Sequence, residues 1–496
     1  MTNGRKTAIG ISKEEYKKFG YQLVDKIAEF IDTIEKKPVT TGESPGQLQK
    51  VLGTSSLPEN GAPPEDILSR ATDLLFNHSL FNGHPKFLGY ITSSPAPLGS
   101  LADMLAAAVN PNVGANILSP MATEIEKQTI RWLAEFIGVS PAYGGILVSG
   151  GNMANLTAFL AGRTAKAPKN IKEDGISNTA GRMVVYCSKN THTWIEKAAI
   201  LFGLGSGAIR WIQTDADHKM DIAALEKKIK EDLKNGFKPI MVIGTAGDVS
   251  IAAVDDLKTI AAVCKTNDLW FHVDGAYGIP AAVIPELKTL FEGIEDADSI
   301  ALDPHKWLYS PLEAGCTLVK DPNHLTDTYS SHPDYYNFSK DDEPMIQNFY
   351  EYGFQNSRGF RALKVWLTLQ QVGRNGYIEM IGDDILLSKL LFEKADEHQE
   401  LEAITQSLSI ATFRYVPQGY MWDEKNKEDY LNKLNEELLN ELQQGGEVFL
   451  SNAVVSGKYC LRGCIVNFRT SKKDIQEIIE IVVREGRKTH QKLKPV

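Results

Sequence analysis

Between residues 86 and 375 the chain repeats one pattern. Apolar runs of strand length, GGILVSG, RMVVYCS, PIMVIGTAG, LWFHVDG, SIALDP and GCTLV, alternate with stretches mostly long enough to form a helix. A strand that is apolar from end to end has to be covered on both faces, and a helix-length connection suits a crossover better than a hairpin. The pattern therefore predicts an α/β domain built on a mainly parallel sheet with helices on either side. Ligands of such sheets bind at the carboxyl ends of the strands, so the residues that follow each run are where chemistry is to be sought.

The flanks read differently. Tyr16, Phe19, Leu23, Ile27, Phe30 and Ile34 recur at steps of three and four, which predicts an amphipathic helix over 12–36, with Ser12 and Glu15 in capping-box positions at its start. The next stretch, PVTTGESPGQLQKVLGTSSLPENGAPP, is rich in turn formers and predicts a surface connection before a second short helix beginning near Glu65. Residues 1–85 are thus expected to be a helical extension and 86–375 the large domain. Beyond 376 the order becomes helix, strand (LSIATFRYV), helix (EDYLNKLNEELLNELQQ), two strands (EVFLSNAVV and YCLRGCIVNF) and a last helix from Ser471. That order predicts a small α/β domain over 376–496 with an antiparallel sheet. Within the large domain, 325–352 is polar, aromatic and weakly periodic, the make-up of a functional lid or of a surface loop.

Charge narrows the partners. Lys plus Arg number 53 against 63 Asp plus Glu, a net charge of −10, so neither nucleic acid nor an anionic membrane is an expected partner. No apolar run reaches the ~18 residues that span a bilayer, and MTNGRKTAIG lacks the apolar core of a signal peptide, which gives a cytoplasmic expectation. Cys187, Cys264, Cys316, Cys460 and Cys464 are too scattered for a disulfide framework, and Cys460 with Cys464 misses the spacing of a zinc site. They are expected to be reduced packing residues, and no metal is expected.

Three strand ends carry chemistry. In GGILVSGGNMANLTAF, Ser149-Gly150-Gly151-Asn152 lie between a strand and a helix. The glycines let the backbone approach an anion and the helix start offers free N–H groups, which makes a phosphate cup; a tight turn that binds nothing has the same pattern. GLGSG at 203–207 lacks that context. In WFHVDGAYG, Asp274 ends a very apolar strand, where a carboxylate needs a cationic partner unless it caps the next helix. In DSIALDPHKWLY, Lys306 follows another strand beside Asp303 and His305. An amine held among apolar and aromatic groups has its ammonium form disfavoured, as an imine-forming amine requires, whereas alone it would read as a surface lysine. Asn152, His192, Asp274 and Lys306 each follow a candidate strand, and 32 residues, about one βαβ unit, separate the last two. All four can converge on one crevice. A phosphate cup, a buried acid and an imine-forming lysine together describe a site for pyridoxal 5′-phosphate, the acid keeping the pyridine nitrogen protonated.

HVDGAYG followed by ALDPHKW resembles the aspartate and lysine motifs of the group II pyridoxal-phosphate decarboxylases, the aromatic-L-amino-acid decarboxylases matching best. HPKFLGYITSSPAPLGSLADML, LSPMATEIEKQTIRWLAEFIG, SRGFRALKVW and LRGCIVNFRTS extend the resemblance over essentially the whole chain. It implies a fold type I, aspartate-aminotransferase-like large domain, and a homodimer clasped by the N-terminal extension. It also implies that Lys306 forms the Schiff base, that Asp274 pairs with the pyridine nitrogen and that His192 stacks over the ring and abuts the substrate. Gly151 and Asn152 match phosphate-binding positions, Asp303 a polar cofactor contact, and His305 a residue that helps fix the phosphate and the lysine. Tyr90 and Ser93 fall where the family lines its substrate pocket, and Arg358 matches an arginine near the active-site entrance. Tyr335, with Tyr336 beside it, matches a loop tyrosine associated with return of a proton to the substrate α-carbon.

The activity so implied is decarboxylation of an L-amino acid, aromatic or otherwise apolar, to its amine and carbon dioxide. Relatives acting on acidic or diamino acids, and aldehyde-forming relatives in which the loop tyrosine is phenylalanine, are the alternatives. A catalytically silent scaffold is disfavoured by the intact Lys306, Asp274, His192 and Tyr335. Against the family pattern, Asp248 and Val249 replace a strand-end threonine pair, no aromatic residue stands at Gly114 or Ala115, Trp194 is larger than is common, and Gly359 replaces a frequent arginine. These departures bear on the substrate more than on the reaction, and the missing aromatic predicts a wider pocket.

Overall fold

The predicted apolar runs become the strands of one sheet in the computed structural model, which describes residues 7–167, 171–176, 181–331, 346–419 and 426–494. The strands are β1 (Gly144–Val148), β2 (Met183–Ser188), β3 (Ile209–Ile212), β4 (Lys238–Thr245), β5 (Trp270–Asp274), β6 (Ser299–Leu302) and β7 (Gly315–Val319). They pair in the order β1-β7-β6-β5-β4-β2-β3. Only β7 runs against its neighbours, β1 and β6; the remaining pairs are parallel, so the mainly parallel sheet read from the sequence is the one that forms. Strands β2, β5, β6 and β7 are buried at every position, as β-branched and aromatic runs between two helical layers must be. The edge strand β3 escapes the sequence prediction because Arg210 and Trp211, turned partly to solvent, interrupt its apolar run.

The N-terminal segment is more helical than its sequence predicts. Helix α1 (Lys13–Thr33) starts with the expected capping box: Glu15 N–H donates to Ser12 Oγ at 3.2 Å and Ser12 N–H to Glu15 Oε2 at 2.8 Å. The turn-rich stretch read as a connection contains a further helix, α2 (Pro45–Leu52). Ser44 and Gln47 cap it reciprocally and Pro45 opens it, so polar residues that look like loop are there the helix start. Then come α3 (Pro64–Asn77), α4 (Pro97–Val109), α5 (Pro120–Phe136) and α6 (Gly151–Lys166), the last following β1 directly. Phe30 of α1 stacks on Phe76 of α3 at 4.5 Å, yet no residue of α1 is fully buried.

A long helix, Ala362–Glu397, breaks at Gly373 (φ 65°, ψ 170°) and leads into the C-terminal unit. There β8 (Leu401–Ser407), β9 (Ile410–Tyr415), β10 (Ser451–Val455) and β11 (Lys458–Cys464) form an antiparallel sheet in the order β10-β11-β9-β8. Strand β8 is half-buried along LEAITQS, which hides it from an apolar-run reading. A second core, including Phe413, Leu434, Leu461 and Ile478, lies between this sheet and the helices Lys427–Gly445 and Lys472–Leu493. Leu88 belongs to this second core: its N–H donates to the Phe449 carbonyl at 2.8 Å, and its carbonyl accepts from Cys464 N–H at 2.9 Å. All five cysteines are buried and unbridged. Among the described residues no helix is long and apolar enough to cross a membrane.

Candidate active site

A cleft of about 1040 Å³ opens at the carboxyl ends of β1, β2, β4, β5 and β6, and Asn152, His192, Asp274 and Lys306 all line it. Three glycines set its floor. Gly150 has φ 135°, a conformation that suits glycine, and a Cβ there would meet His305 Cε1 at 3.2 Å. A Cβ on Gly151 would lie 2.6 Å from Asp303 Oδ2, and one on Gly315 would lie 2.5 Å from Gly150 Cα. Backbone thus packs on backbone where β1 turns into α6. The first turn of α6 faces the cleft with N–H groups that a helix cannot satisfy internally, beside the Gly151 and Asn152 positions read from the sequence.

The lysine sits in a different setting from the apolar and aromatic one expected. The turn after β6 brings Lys306 N–H to the Asp303 carbonyl at 2.9 Å and folds the carboxylate under the amine, Nζ to Oδ2 being 2.9 Å. Trp307 points away, stacked on Tyr277 at 5.1 Å with its Nε1 donating to Asp384 at 2.8 Å. Asp303 is almost wholly buried, and its Oδ1 has no hydrogen-bond partner among the described residues. His305 donates from Nδ1 to the Ala314 carbonyl at 2.7 Å, and burial, opposed by Asp303, holds its pKa below the ordinary value.

Asp274, at the end of β5, is buried and held from two directions. Trp194 Nε1 donates to Oδ2 at 2.7 Å and the Ala276 N–H to Oδ1 at 3.3 Å. Behind it, burial pushes the His272 pKa down to about 4, so that ring is neutral at neutral pH. Trp270 Nε1 donates to Ser299 Oγ at 2.8 Å, which leaves the serine hydroxyl to donate to His272 Nδ1 (2.9 Å) and His272 Nε2 to donate to Asn155 Oδ1 (2.7 Å). His192 accepts the Trp194 backbone N–H on Nδ1 at 3.3 Å, which leaves Nε2 as its remaining hydrogen-bonding edge. Burial lowers its pKa too, with Asp274 pulling the other way.

The substrate-side expectations divide. Tyr90 lines the cleft, its backbone N–H donating to Ser451 Oγ at 3.2 Å. Ser93 is buried with Oγ donating to the His305 carbonyl at 2.9 Å, so it braces the lysine turn while Ile91 and Thr92 face the cleft. Arg358 is no entrance residue. It is buried against Glu126, with Nη2 at 2.5 Å from Oε1, and also donates to the carbonyls of Val113 (2.8 Å) and Leu147 (2.6 Å). Tyr335 and Tyr336 lie outside the described residues. Gly114 has no room for an aromatic side chain, since a Cβ there would be 2.0 Å from the Asn356 carbonyl oxygen.

Residues that the sequence did not single out complete the wall. Thr245, at the end of β4, brings a hydroxyl to the cleft within 3.5 Å of Thr191 Oγ1, near where the threonine pair is missing. Asp248 lines the cleft but shapes its loop, accepting from the N–H groups of Ser250 (2.7 Å), Ile251 (3.2 Å) and Ala253 (2.7 Å). Arg462 reaches the rim from β11, held by Ser451 Oγ at 3.0 Å and by the Val249 carbonyl. Its motif matched the family, but no local spacing ties it to the cleft.

The donors suit pyridoxal 5′-phosphate. The cleft offers an amine, a helix start cleared by glycines for an anion, a buried acid whose hydrogen bonds come from an indole and an amide, and an orphaned carboxylate oxygen beside the amine. Comparison with known proteins agrees. The pyridoxal-dependent decarboxylase conserved domain matches residues 45–416, and the PDXDC1-like second central domain matches residues 392–494. An aromatic-L-amino-acid decarboxylase of Bacillus atrophaeus is 35% identical over 473 residues, 95% of either chain. Tyrosine decarboxylase 4 of Petroselinum crispum is 31% identical over 92% of this chain and 90% of its own. The crystal structure of Oryza sativa TDC with PLP and tryptamine superposes with a TM-score of 0.90 at 25% identity, covering 97% of this chain and 99% of that one.

Proposed function

Because the chain belongs to the pyridoxal-dependent decarboxylase family and is a pyridoxal-phosphate-dependent amino-acid decarboxylase, we propose that it converts an aromatic L-amino acid to its amine and carbon dioxide. The observation that carries the substrate class is the 35% identity, over 95% of both chains, to an aromatic-L-amino-acid decarboxylase. The rim supports it, since Tyr90, Ile91, Val249 and Leu312 offer apolar surface to a side chain. Arg462 stands at the same rim, held in place by Ser451 Oγ and the Val249 carbonyl.

When bound, the cofactor supplies an electron sink for the pair left on the α-carbon as carbon dioxide departs. Lys306 provides the amine that would hold it, Asp274 the negative charge for its ring nitrogen, and the first turn of α6 with Gly151 and Asn152 the donors for its phosphate. Asp303 and His305 flank the amine. His192 stands at the end of β2 and offers Nε2 to a ligand. Return of the proton to the α-carbon is assigned to Tyr335.

We assign a cytoplasmic homodimer. Leu101, Met104, Leu105 and Val109 of α4, with Ile117, Leu118 and Met121 just beyond, form an exposed apolar face, and no residue of α1 is fully buried within its own chain. Such surface favours a self-complementary contact. Sedimentation of a folded, active monomer would overturn the dimer.

Carbon dioxide release measured across the twenty amino acids tests the function. Release from tryptophan, tyrosine or phenylalanine with the matching amine is expected. Release confined to acidic or diamino acids refutes the substrate class, and aldehyde accompanied by ammonia and peroxide refutes the amine product.

A further inference from the structure

We propose that Trp194 is a positioning residue for Asp274, its indole N–H pinning the carboxylate in the orientation that the cofactor ring requires. This rests on the assignment of Asp274 as the partner of the ring nitrogen. An aspartate side chain turns about two bonds, and in a cleft open to water it samples several rotamers unless something fixes it. Trp194 Nε1 donates to Oδ2 at 2.7 Å, a shorter contact than the 3.3 Å from Ala276 N–H to Oδ1, so the indole is the stronger of the two anchors.

The anchor is itself immobile. Trp194 is 1% exposed at the start of the helix Trp194–Leu201. Its ring is met edge-on by Phe159 at 6.2 Å and by His272 at 5.7 Å, and His272 is fixed in turn by Asn155 and Ser299. Phe159 and Asn155 belong to α6, whose first turn lines the anion-binding end of the cleft. One rigid helix therefore braces both the phosphate end and the acid end of the site. Trp194 also touches His192, because its backbone N–H is the donor to His192 Nδ1. A single residue thus relates the histidine to the acid, by its backbone on one side and its side chain on the other. The smaller residue common at this position has no indole to offer Asp274.

Trp194→Phe keeps an aromatic ring but removes the donor together with the pyrrole part of the buried indole, and the Asp274→Ala background separates that lost packing from the lost hydrogen bond. In titrations of the full-length apoprotein with pyridoxal 5′-phosphate, the dissociation constant should rise about two- to tenfold, the cost of ordering one side chain at the moment of binding. In an Asp274→Ala background the same substitution should change it by less than about twofold, the limit for uncoupled sites. A loss of equal size in both backgrounds marks ordinary packing and overturns the proposal, as does no loss in the wild-type background. If Asp274→Ala itself left the dissociation constant and the visible absorption band of the bound cofactor unchanged, the assignment of Asp274 would fall instead. Should Asp274→Ala not fold, Asp274→Asn takes its place, and an undiminished Trp194→Phe effect there also overturns the proposal.

Discussion

Gly151→Ala adds one methyl group where the phosphate end of the cleft meets the lysine turn. Its Cβ would fall 2.6 Å from Asp303 Oδ2 and 3.2 Å from Ala276 Cβ, and real Cβ contacts essentially never come under 3.0 Å, so something must give by at least about 0.4 Å. Asp303 is tethered to Lys306 at 2.9 Å, and therefore either that pair stretches or α6 moves off the turn. Overpacking of this kind costs ~1–3 kcal/mol, while replacing glycine by alanine in a helix returns up to ~1 kcal/mol. Taking about 2 kcal/mol, the middle of the first range, the net of about 1–2 kcal/mol falls on the loaded state, where carboxylate and helix must both keep their places, and corresponds to roughly five- to thirtyfold weaker cofactor binding. In the apoprotein stretching of the Asp303–Lys306 pair relieves the contact, so the melting temperature should fall little beside the loss of cofactor affinity. Spectroscopic titration with the cofactor, beside thermal melts of the apoprotein, reads the two states separately. A dissociation constant within about twofold of wild type would refute the cradle.

Lys306→Ala should abolish borohydride-fixed cofactor, and a peptide map showing the adduct on another lysine would remove Lys306 from its role. Tyr335→Phe should slow amine formation or divert product to aldehyde; unchanged turnover would transfer the role to Tyr336 or another donor. Arg358→Ala strands Glu126 as a buried, unpaired carboxylate, which should cost ~3–5 kcal/mol in chemical denaturation, whereas a stable protein with only a raised KM would restore an entrance role. Asp384 accepts from Trp307 Nε1 and Tyr309 Oη, and burial pushes its pKa up to about 7. A carboxyl raised above its unfolded value of ~4 lends stability that is full below that value and lost as pH climbs through the folded one. Asp384→Asn should therefore flatten the fall in melting temperature between those two values, and an unchanged slope would refute the assignment.

What could be read from the sequence was local. The strands declared themselves because β2 and β5 are buried on both faces and carry little but apolar side chains, and the residues after them fell at the sheet's carboxyl edge by topology alone. What escaped depends on partners far along the chain. Arg358 meets Glu126 across 232 residues, and Arg462 meets Val249 across 213, and neither distance leaves a mark in a periodic pattern. The surroundings of Lys306 were misread for another reason. Flanking Trp307 suggested an apolar wall, but the turn sends the indole to Asp384 and brings Asp303 back beneath the amine. Trp194 was visible as an oversized residue, yet only the fold shows that its size serves to reach Asp274.

The cleft draws its parts from two sources. Its floor comes from the ends of β1, β2, β4, β5 and β6, all knit into one hydrogen-bonded sheet, while its upper wall comes from residues 90–92, 249–250 and 312–313 and from β10 and β11 of the other sheet. On the proposed function, substitutions along the upper wall would retune which side chain is accepted, while the strand-end residues beneath, fixed by the hydrogen bonds of one sheet, keep their register.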